Sequence, residues 1–408
     1  MKYYKHSQLV REYGVSDKTI RNWVEASLEG KIDLKLHENK GRYYVADSVA
    51  NNAVLANLAE HGKKYRNGRS SKVTVPKPEF YEIVGSDNVP DFVNTLEKQH
   101  ELSWHYSYFG AAAKYWDDYL MEQHAAGPGN LVTNTIDALK TSFPYIESLI
   151  AGYERVNVVN VCAANSIALH DMLGKIKATG KLNRFVAVDI SLDMLNITAN
   201  NVDRWFGGAV ATEKVIADVR NQPLYSLVGD TDASTINLFF MVAGPLVNFE
   251  DAQRVLSTIS GSMSQQDLFI TTTKRDTAQT RNYYDFNVRA DATLLGFNSQ
   301  YLLDLLNIEP SFYEVEQAYD KYASQKVLKV RLKVNVAIEF SMHGIQRTVE
   351  LEKNDSILMW RAKRYSDEEL VAQLSSAGFS QLLFAQSPDQ ELRLTISRPK
   401  SLRKDPAN

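Results

Sequence analysis

From residue 156 the chain alternates short apolar runs with helical segments, and that alternation allows very few folds. VNVVNVCA (156–163) reads as a buried strand, IALHDMLGKIKA as a helix, and RFVAVDIS as a second strand that carries Asp189 at its end. VIADV with Asp218, TINLFFMVAG and DLFITTT continue the series. Strands this uniformly apolar are covered on both faces, as in a parallel sheet flanked by helices. Ligands of such sheets bind beyond the carboxyl ends of the strands. An acid closing the second strand is placed there to accept hydrogen bonds from a ribose, so Asp189 is the first candidate binding residue.

A different pattern precedes this one. Leu9, Val10 and Tyr13 recur at helical spacing and Gly14 ends that helix. Ser16 caps a second helix, in which Ile20, Trp23 and Val24 share one face while Asp17, Lys18, Arg21, Asn22 and Glu25 occupy the other. DLKLHENKGRYYV then reads as strand, turn, strand, with Asn39, Lys40 and Gly41 at the tip. Residues 6–45 therefore read as a winged helix-turn-helix. Lys18, Arg21 and Asn22 are long donors suited to phosphates or base edges in a major groove, and Lys40 and Arg42 sit on the wing.

Charge agrees with a DNA partner. Residues 1–75 hold fourteen Lys or Arg against eight Asp or Glu, about +6, which leaves about −9 for the remainder of a chain whose net charge is −3. The segment resembles the MerR-like and excisionase-like winged domains, which implies that the second helix reads the groove and the wing touches the backbone. The same hairpin of helices also suits protein docking. One such module makes a modest interface, so self-association as a homodimer, or a partner, is expected.

The 408 residues, 44% of them apolar, leave room for two or three domains. GKKYRNGRSSKVTVPKP (62–78) reads as a basic linker and SLRKDPAN (401–408) as a tail. No run approaches the roughly 20 apolar residues of a membrane span, and the first residues hold no apolar signal core, so a cytoplasmic protein with no membrane partner is expected. The single cysteine, Cys162, excludes an intrachain disulfide, the eight histidines are scattered, and no metal is assigned.

Longer stretches of the body carry a second resemblance. AVDISLDML, LFFMVAGPLVNFED, YYDFN followed by LLGFNSQYLLDLLNI, and NDSILMWRAKRYSDEELVAQLSSAGF occur in the order and spacing of the histidine-specific methyltransferases, the family of the ergothioneine-pathway histidine N-methyltransferase. The resemblance spans roughly residues 100–398. It implies an α/β fold: a Rossmann-like methyltransferase core (79–280 and 367–400) with an inserted α+β substrate-binding domain (281–366), here behind the small winged head (1–61). The period-2 alternation of YASQKVLKVRLKVNVAIEFSMHGIQRTVELEKND supports antiparallel strands in that insertion independently.

The resemblance also implies S-adenosylmethionine as cofactor and a set of roles. Asp189 matches the ribose-binding acid, and Asp218 with Val219 the pair that holds the adenine amine and ring. Asn248 matches the asparagine that fixes the substrate. Tyr283, Tyr284 and Asp285 match an aromatic and acidic substrate wall, with Tyr284 or Asp285 as proton acceptor in catalysis. Tyr106, Tyr108, Tyr115 and Trp116 either line the pocket or pack in the core.

Two departures bear on function. After the first strand the family has an acidic residue and a glycine-rich turn, whereas this chain has Asn160, Val161, Cys162, Ala163, Ala164, Asn165 and Ser166. Cys162 and Ala164 replace both glycines, and a Cβ costs about 1 kcal/mol or more where the backbone is left-handed. Both residues are small enough to leave room, with Asn160 or Asn165 free to bond the methionine moiety. In the late motif, where the histidine enzyme holds an imidazole with a glutamate and a serine, this chain has Trp360 and Ala362. Neither side chain can accept a hydrogen bond from an imidazole N–H, so histidine is not the expected substrate. Trp360 offers an aromatic wall to a flat or apolar ligand, or else packs in the core.

Three function classes follow: a methyltransferase acting on a small amine or amino-acid-like molecule and tethered to DNA; a transcription regulator whose altered methyltransferase domain senses a ligand; and a protein-docking module without activity. Methylation of DNA bases is disfavoured. The Asp/Asn-Pro-Pro-aromatic tetrapeptide of amino-methylating DNA enzymes is absent, and AGPLVNF has the wrong order.

Overall fold

The computed structural model describes residues 3–13, 15, 17–39, 41–61, 71–225, 232–282, 295–342 and 345–400. Two compact units emerge: Met1–Val73 with the short stretches Val334–Ala337 and Glu350–Glu352, and Thr74–Lys333 with Ile338–Val349 and Lys353–Asn408.

The first unit holds strand β1 (Tyr3–Tyr4), helices α1 (His6–Tyr13) and α2 (Asp17–Leu28), the hairpin β2 (Leu36–Asn39) and β3 (Arg42–Ala46), and helix α3 (Val49–His61). The three strands form an antiparallel sheet in the order β1-β3-β2. Asn39 pairs with Arg42, and Gly41 between them has φ 73°, a left-handed turn conformation that costs glycine nothing. Leu9, Ile20, Trp23, Val24, Leu34, Val45, Leu55 and Leu58 close a small core, so the apolar spacing of α2 becomes its buried face. Asp17, Arg21 and Glu25 stand exposed opposite. Asn51 is 1% exposed and staples α3 to the hairpin, accepting from the Lys35 N–H at 2.9 Å and donating to the Ala46 carbonyl at 2.8 Å. Gly14, Ser16 and Lys40 lie outside the described residues.

Strand β4 (Lys72–Thr74) falls inside the stretch read as a linker, which corrects that reading. The Lys72 N–H donates to the Asn335 carbonyl at 2.8 Å, and the β-branched Val73 and Thr74 favour extended backbone over a tether.

Helices α4 (Pro78–Val84), α5 (Val89–Gln99), α6 (Ala111–Ala125) and α7 (Leu131–Ile150) lead into β5 (Arg155–Val161), α8 (His170–Ala178), β6 (Leu182–Asp189), α9 (Leu192–Phe206), β7 (Thr212–Ile216), β8 (Thr235–Met241), α10 (Ala252–Ser260) and β9 (Leu268–Lys274). The chain continues through α11 (Ala278–Asn282), α12 (Phe297–Leu305), β10 (Tyr313–Asp320), β11 (Gln325–Leu332), β12 (Val336–Met342), β13 (Ile345–Leu351) and β14 (Ser356–Lys363), then α13 (Asp367–Ser376), β15 (Phe379–Gln386) and β16 (Leu392–Pro399).

One seven-stranded sheet, in the order β15-β16-β9-β8-β5-β6-β7, dominates the second unit. Strands β5 to β9 are mutually parallel, and β15 and β16 add antiparallel pairs at one edge. Val156, Val158, Phe185, Ala187, Ile236, Leu238, Phe240 and Ile270 are almost fully buried, as strands covered on both faces must be. The chain runs outward from β5 through β6 and β7, then returns to place β8 on the other side of β5. That reversal opens a crevice beyond the carboxyl ends of β5 and β8, where ligands of open α/β sheets bind.

Between β9 and α13, strands β10, β11 and β14 build a separate antiparallel sheet. Phe80 and Phe92 from α4 and α5 pack on Phe340 of β12, with ring centroids 5.6 and 6.3 Å away. Among the described residues no helix is long and apolar enough to cross a membrane.

Candidate functional site

The loops after β5, β6, β7 and β8 open on one cavity of about 910 Å³. Asn160, Cys162, Ala164, Asn165, Asp189, Asp218, Val219, Asn248, Trp360 and Ala362 all line it, so the structure brings these sequence-selected residues together. Tyr283, Tyr284 and Asp285 lie outside the described residues.

The loop after β5 is left-handed at Cys162, Ala164 and Ser166, with φ of 56, 46 and 60°. No glycine relieves it, and such strain persists only when surrounding contacts over-determine the backbone. They do so here. Asn160 donates to the Ser166 hydroxyl at 2.9 Å and to the Ala163 carbonyl at 3.3 Å. Thr198 on α9 donates to the Ala164 carbonyl at 2.5 Å, and Asn201 to the Asn165 carbonyl at 3.2 Å. Asn165 donates to Asp117 at 3.0 Å and caps the Ile167 N–H at 3.1 Å. Asn160 and Asn165, expected to bond the cofactor's methionine end, therefore have partners within the loop's own scaffold. Burial pushes the Cys162 thiol well up, with the Asp189 carboxylate adding to the effect, so the sulfur is a neutral, packed group.

Asp189 ends β6, only 8% exposed. Its Oδ1 accepts the Ser191 N–H at 3.0 Å and its Oδ2 the Ala164 N–H at 3.3 Å. Burial raises its carboxyl to about 6 against these backbone donors. The Ile190 and Ala163 N–H groups also act on this carboxylate, so it is cradled by backbone donors. Asp218, after β7, is placed differently. Burial pushes its carboxyl up, but the Arg220 fork outweighs that and holds it below the usual carboxylate range. His105, beside Arg220, is pushed down to about 3 by burial and then by that guanidinium, so it is a neutral imidazole.

An aromatic wall closes another side. Trp104 stands 6.2 Å from Tyr108, 6.1 Å from Trp116 and 6.5 Å from Trp360 between ring centroids, and all four line the cavity. Trp104 donates its indole N–H to the Tyr108 hydroxyl at 3.1 Å. Asn248 follows β8, and its buried Oδ1 has no hydrogen-bond partner among the described residues. Glu101 pairs with Arg361 at the cavity wall, and Glu250 approaches the same guanidinium at 3.7 Å.

A family profile described as histidine-specific methyltransferase, SAM-dependent, matches residues 132–399. The chain belongs to this family. It is an S-adenosylmethionine-dependent methyltransferase. No curated protein matches the sequence. Solved structures similar to it include an S-adenosylmethionine-dependent methyltransferase from Clostridium acetobutylicum, 12% identical over 72% of this chain and 100% of that one, with a TM-score of 0.42. The CcbJ methyltransferase from Streptomyces caelestis is 11% identical over 70% of this chain and 98% of its own, at a TM-score of 0.38. Magnesium protoporphyrin IX methyltransferase from Synechocystis, with bound SAH, is 10% identical over 73% and 98%, also at 0.38.

The residues of this methyltransferase fit the cofactor. Asp189 places a carboxylate at the sheet edge where a ribose is expected, the strained loop keeps its turn despite two side chains, and Asn248 has a buried oxygen that lacks a donor. Several site residues were not singled out from the sequence. Trp104 and His105 share the short aromatic run WHYSY, a composition that could have flagged them. Thr198, Asn201 and Arg220 carry no such signal, because their partners are set only by the fold. Of the aromatic residues expected in pocket or core, Tyr106, Tyr108 and Trp116 line the cavity, while Tyr115 does neither: it is 39% exposed, its ring tilted against that of Phe297 with centroids 5.3 Å apart. Position 115 is exposed on α6, within the same turn as the buried Ala112, Ala113 and Trp116.

Proposed function

We propose that this enzyme transfers a methyl group to the nitrogen of a small amine or amino-acid-like substrate other than histidine, and that its N-terminal unit is a MerR-like winged helix-turn-helix that binds DNA. The observation that carries the first part is the convergence of Asp189, Asn248 and Trp360 on one cavity. An acceptor for ribose, an oxygen for an amine N–H and an indole where the histidine enzyme has a carboxylate describe a nucleoside cofactor beside a flat, weakly polar substrate.

S-adenosylmethionine supplies an activated methyl group on a sulfonium. The chain's own work is positioning and exclusion of water. Asn248 Oδ1 would accept one amine N–H and aim the nitrogen lone pair. The Trp104, Tyr108, Trp116 and Trp360 rings would dry the reacting region, and their faces favour the positive charge that develops on nitrogen, an effect worth about 0.5–2 kcal/mol. Tyr284 and Asp285 stay in this reading as acceptors of the departing amine proton, with Tyr283 on the substrate wall. Residues 281–366 would supply the substrate-binding part. The test is titration of the purified protein with S-adenosylmethionine, then mass detection of methylated products from a panel of aromatic amines, amino acids and histidine. Methylation of histidine in preference to bulkier amines overturns the substrate reading; cofactor binding with no methylated amine supports a ligand-sensing regulator instead.

For the head, Arg21 and Arg42 are exposed, and Arg21 is held by Asp17 at 2.6 Å, four residues back on α2. An exposed pair of this kind is weak and exchanges readily for a phosphate or base edge. Lys18, Asn22 and Lys40 complete the proposed surface, used by two copies on a symmetric site. Arg21→Ala should weaken binding to a duplex selected from a random pool by about 1–3 kcal/mol if Arg21 reads a guanine. Unchanged fluorescence anisotropy titrations would leave protein docking as the better reading.

A further inference from the structure

Asp218 is saturated. Its Oδ1 accepts the Arg220 backbone N–H at 3.0 Å and Nε at 2.8 Å, and its Oδ2 accepts Arg220 Nη2 at 2.9 Å and Asn221 Nδ2 at 2.9 Å. Those four bonds fill the acceptor positions a carboxylate has. Asp189, the other acid of the cavity, is bonded by backbone N–H groups, with Ser191 and Ala164 at 3.0 and 3.3 Å, and by no side chain among the described residues. The contrast is between an acid held by fixed backbone donors and one held largely by side chains that can swing away.

Arg220 is held at its far end as well. Its Nη1 lies 3.3 Å from His105 Nδ1. A guanidinium can only donate, so Nδ1 of this neutral imidazole is the acceptor and the ring proton sits on Nε2. Asp218, Arg220 and His105 all line the cavity that holds Asp189. The guanidinium therefore bridges one carboxylate and one imidazole at the nucleoside end of the site. It is also movable: the Arg220 side chain is 37% exposed and that of Asp218 26%, so solvent can replace the bonds that break.

We infer that Arg220 is a latch on adenine recognition, occupying the Asp218 acceptors in the free protein and leaving them when the exocyclic amine of adenine arrives. The inference rests on the reading that Asp218 receives that amine. The amine can donate to Asp218 only after at least one Arg220 bond is given up. Affinity for the cofactor is then lowered by the fraction of molecules in which Asp218 is open. The latch also makes Arg220 a specificity-determining residue. A base with a carbonyl in place of the amine cannot donate to Asp218, but it can accept from Arg220.

The experiment is calorimetric titration with S-adenosylhomocysteine and with its deaminated analogue, S-inosylhomocysteine. Arg220→Ala should tighten S-adenosylhomocysteine by about five- to tenfold while leaving the deaminated analogue unchanged or weaker. Equal weakening of both ligands, or no change in either, overturns the latch and makes Arg220 a fixed wall. Asp218→Ala separates the two failures. If it leaves S-adenosylhomocysteine affinity intact, the placement of adenine is at fault; if it weakens binding while Arg220→Ala does not tighten it, only the latch is at fault. Arg220→Lys keeps the charge without the fork, and should fall between wild type and Arg220→Ala in its preference for the amine-bearing base even if the alanine variant folds poorly. A wild-type preference in Arg220→Lys counts against the latch.

Discussion

Asp189→Ala is expected to abolish measurable cofactor binding while leaving the protein folded. The carboxylate sits at the end of β6, at the sheet edge where the two hydroxyls of a ribose would donate to it. Hydrogen bonds to a charged acceptor contribute about 1.5–3 kcal/mol each, so losing two lowers affinity by roughly 3–6 kcal/mol, a factor of about 10² to 10⁴. The same residue sets a pH dependence. Burial raises its carboxyl to about 6, above its unfolded range, so the folded apoprotein holds this proton more tightly than the unfolded chain. Its contribution to stability is then fully present below the ordinary carboxyl range and is lost as pH rises through about 6. Cofactor affinity runs the other way, because hydroxyls donate to the ionised form, and should fall as pH drops below about 6. Calorimetry between pH 5 and 8 on wild type and Asp189→Asn separates the effects: the wild-type affinity should slope below about 6 and the asparagine variant should be flat. A pH-independent wild type, or an alanine variant that binds normally, would move the ribose elsewhere.

The parts of this site that were legible in the sequence are those set by strand burial and chain order. Strands β5, β6, β8 and β9 are rich in buried apolar residues because both faces are covered, and Asp189 is found simply by standing at the end of the second. The left-handed loop was legible too, since Cys162 and Ala164 occupy positions where glycine was expected, and both have positive φ. What holds that loop was not. Thr198 and Asn201 on α9 and Asp117 on α6 reach it across 34 to 48 residues of sequence, and an isolated polar residue on a helix gives no sign of such a partner. Strand β10, YEVEQAYD, and strand β14, SILMWRAK, were less visible than β11 because charged and apolar residues mix on partly exposed strands. Strand β4 was hidden by its Lys-, Gly- and Pro-rich surroundings. The fork from Arg220 to Asp218 depends on rotamers two residues apart, which no periodicity records.

Ala164→Val is expected to lose cofactor binding and to destabilise the second unit, whereas Ala164→Gly should do neither. Ala164 has φ 46°, where a β-branched residue is a marked outlier, and it faces the cavity. Valine would add branch strain of about 1–3 kcal/mol and project two methyls toward the space the cofactor needs. Glycine changes two terms of opposite sign. Removing the Cβ from left-handed backbone recovers about 1–2 kcal/mol, while the freer unfolded chain takes back about 0.4–1 kcal/mol. The net for Ala164→Gly lies between no change and a gain of about 1.6 kcal/mol, at most a few degrees in melting temperature for a domain of this size. The geometry of the loop survives in either case, because Thr198 holds the Ala164 carbonyl and Asp189 its N–H. Thermal melting and titration with S-adenosylhomocysteine, run side by side on both variants, decide the point. If Ala164→Val binds as wild type does, the loop is not a wall of the cofactor site; if Ala164→Gly melts well below wild type, the side chain contributes packing that outweighs its backbone strain.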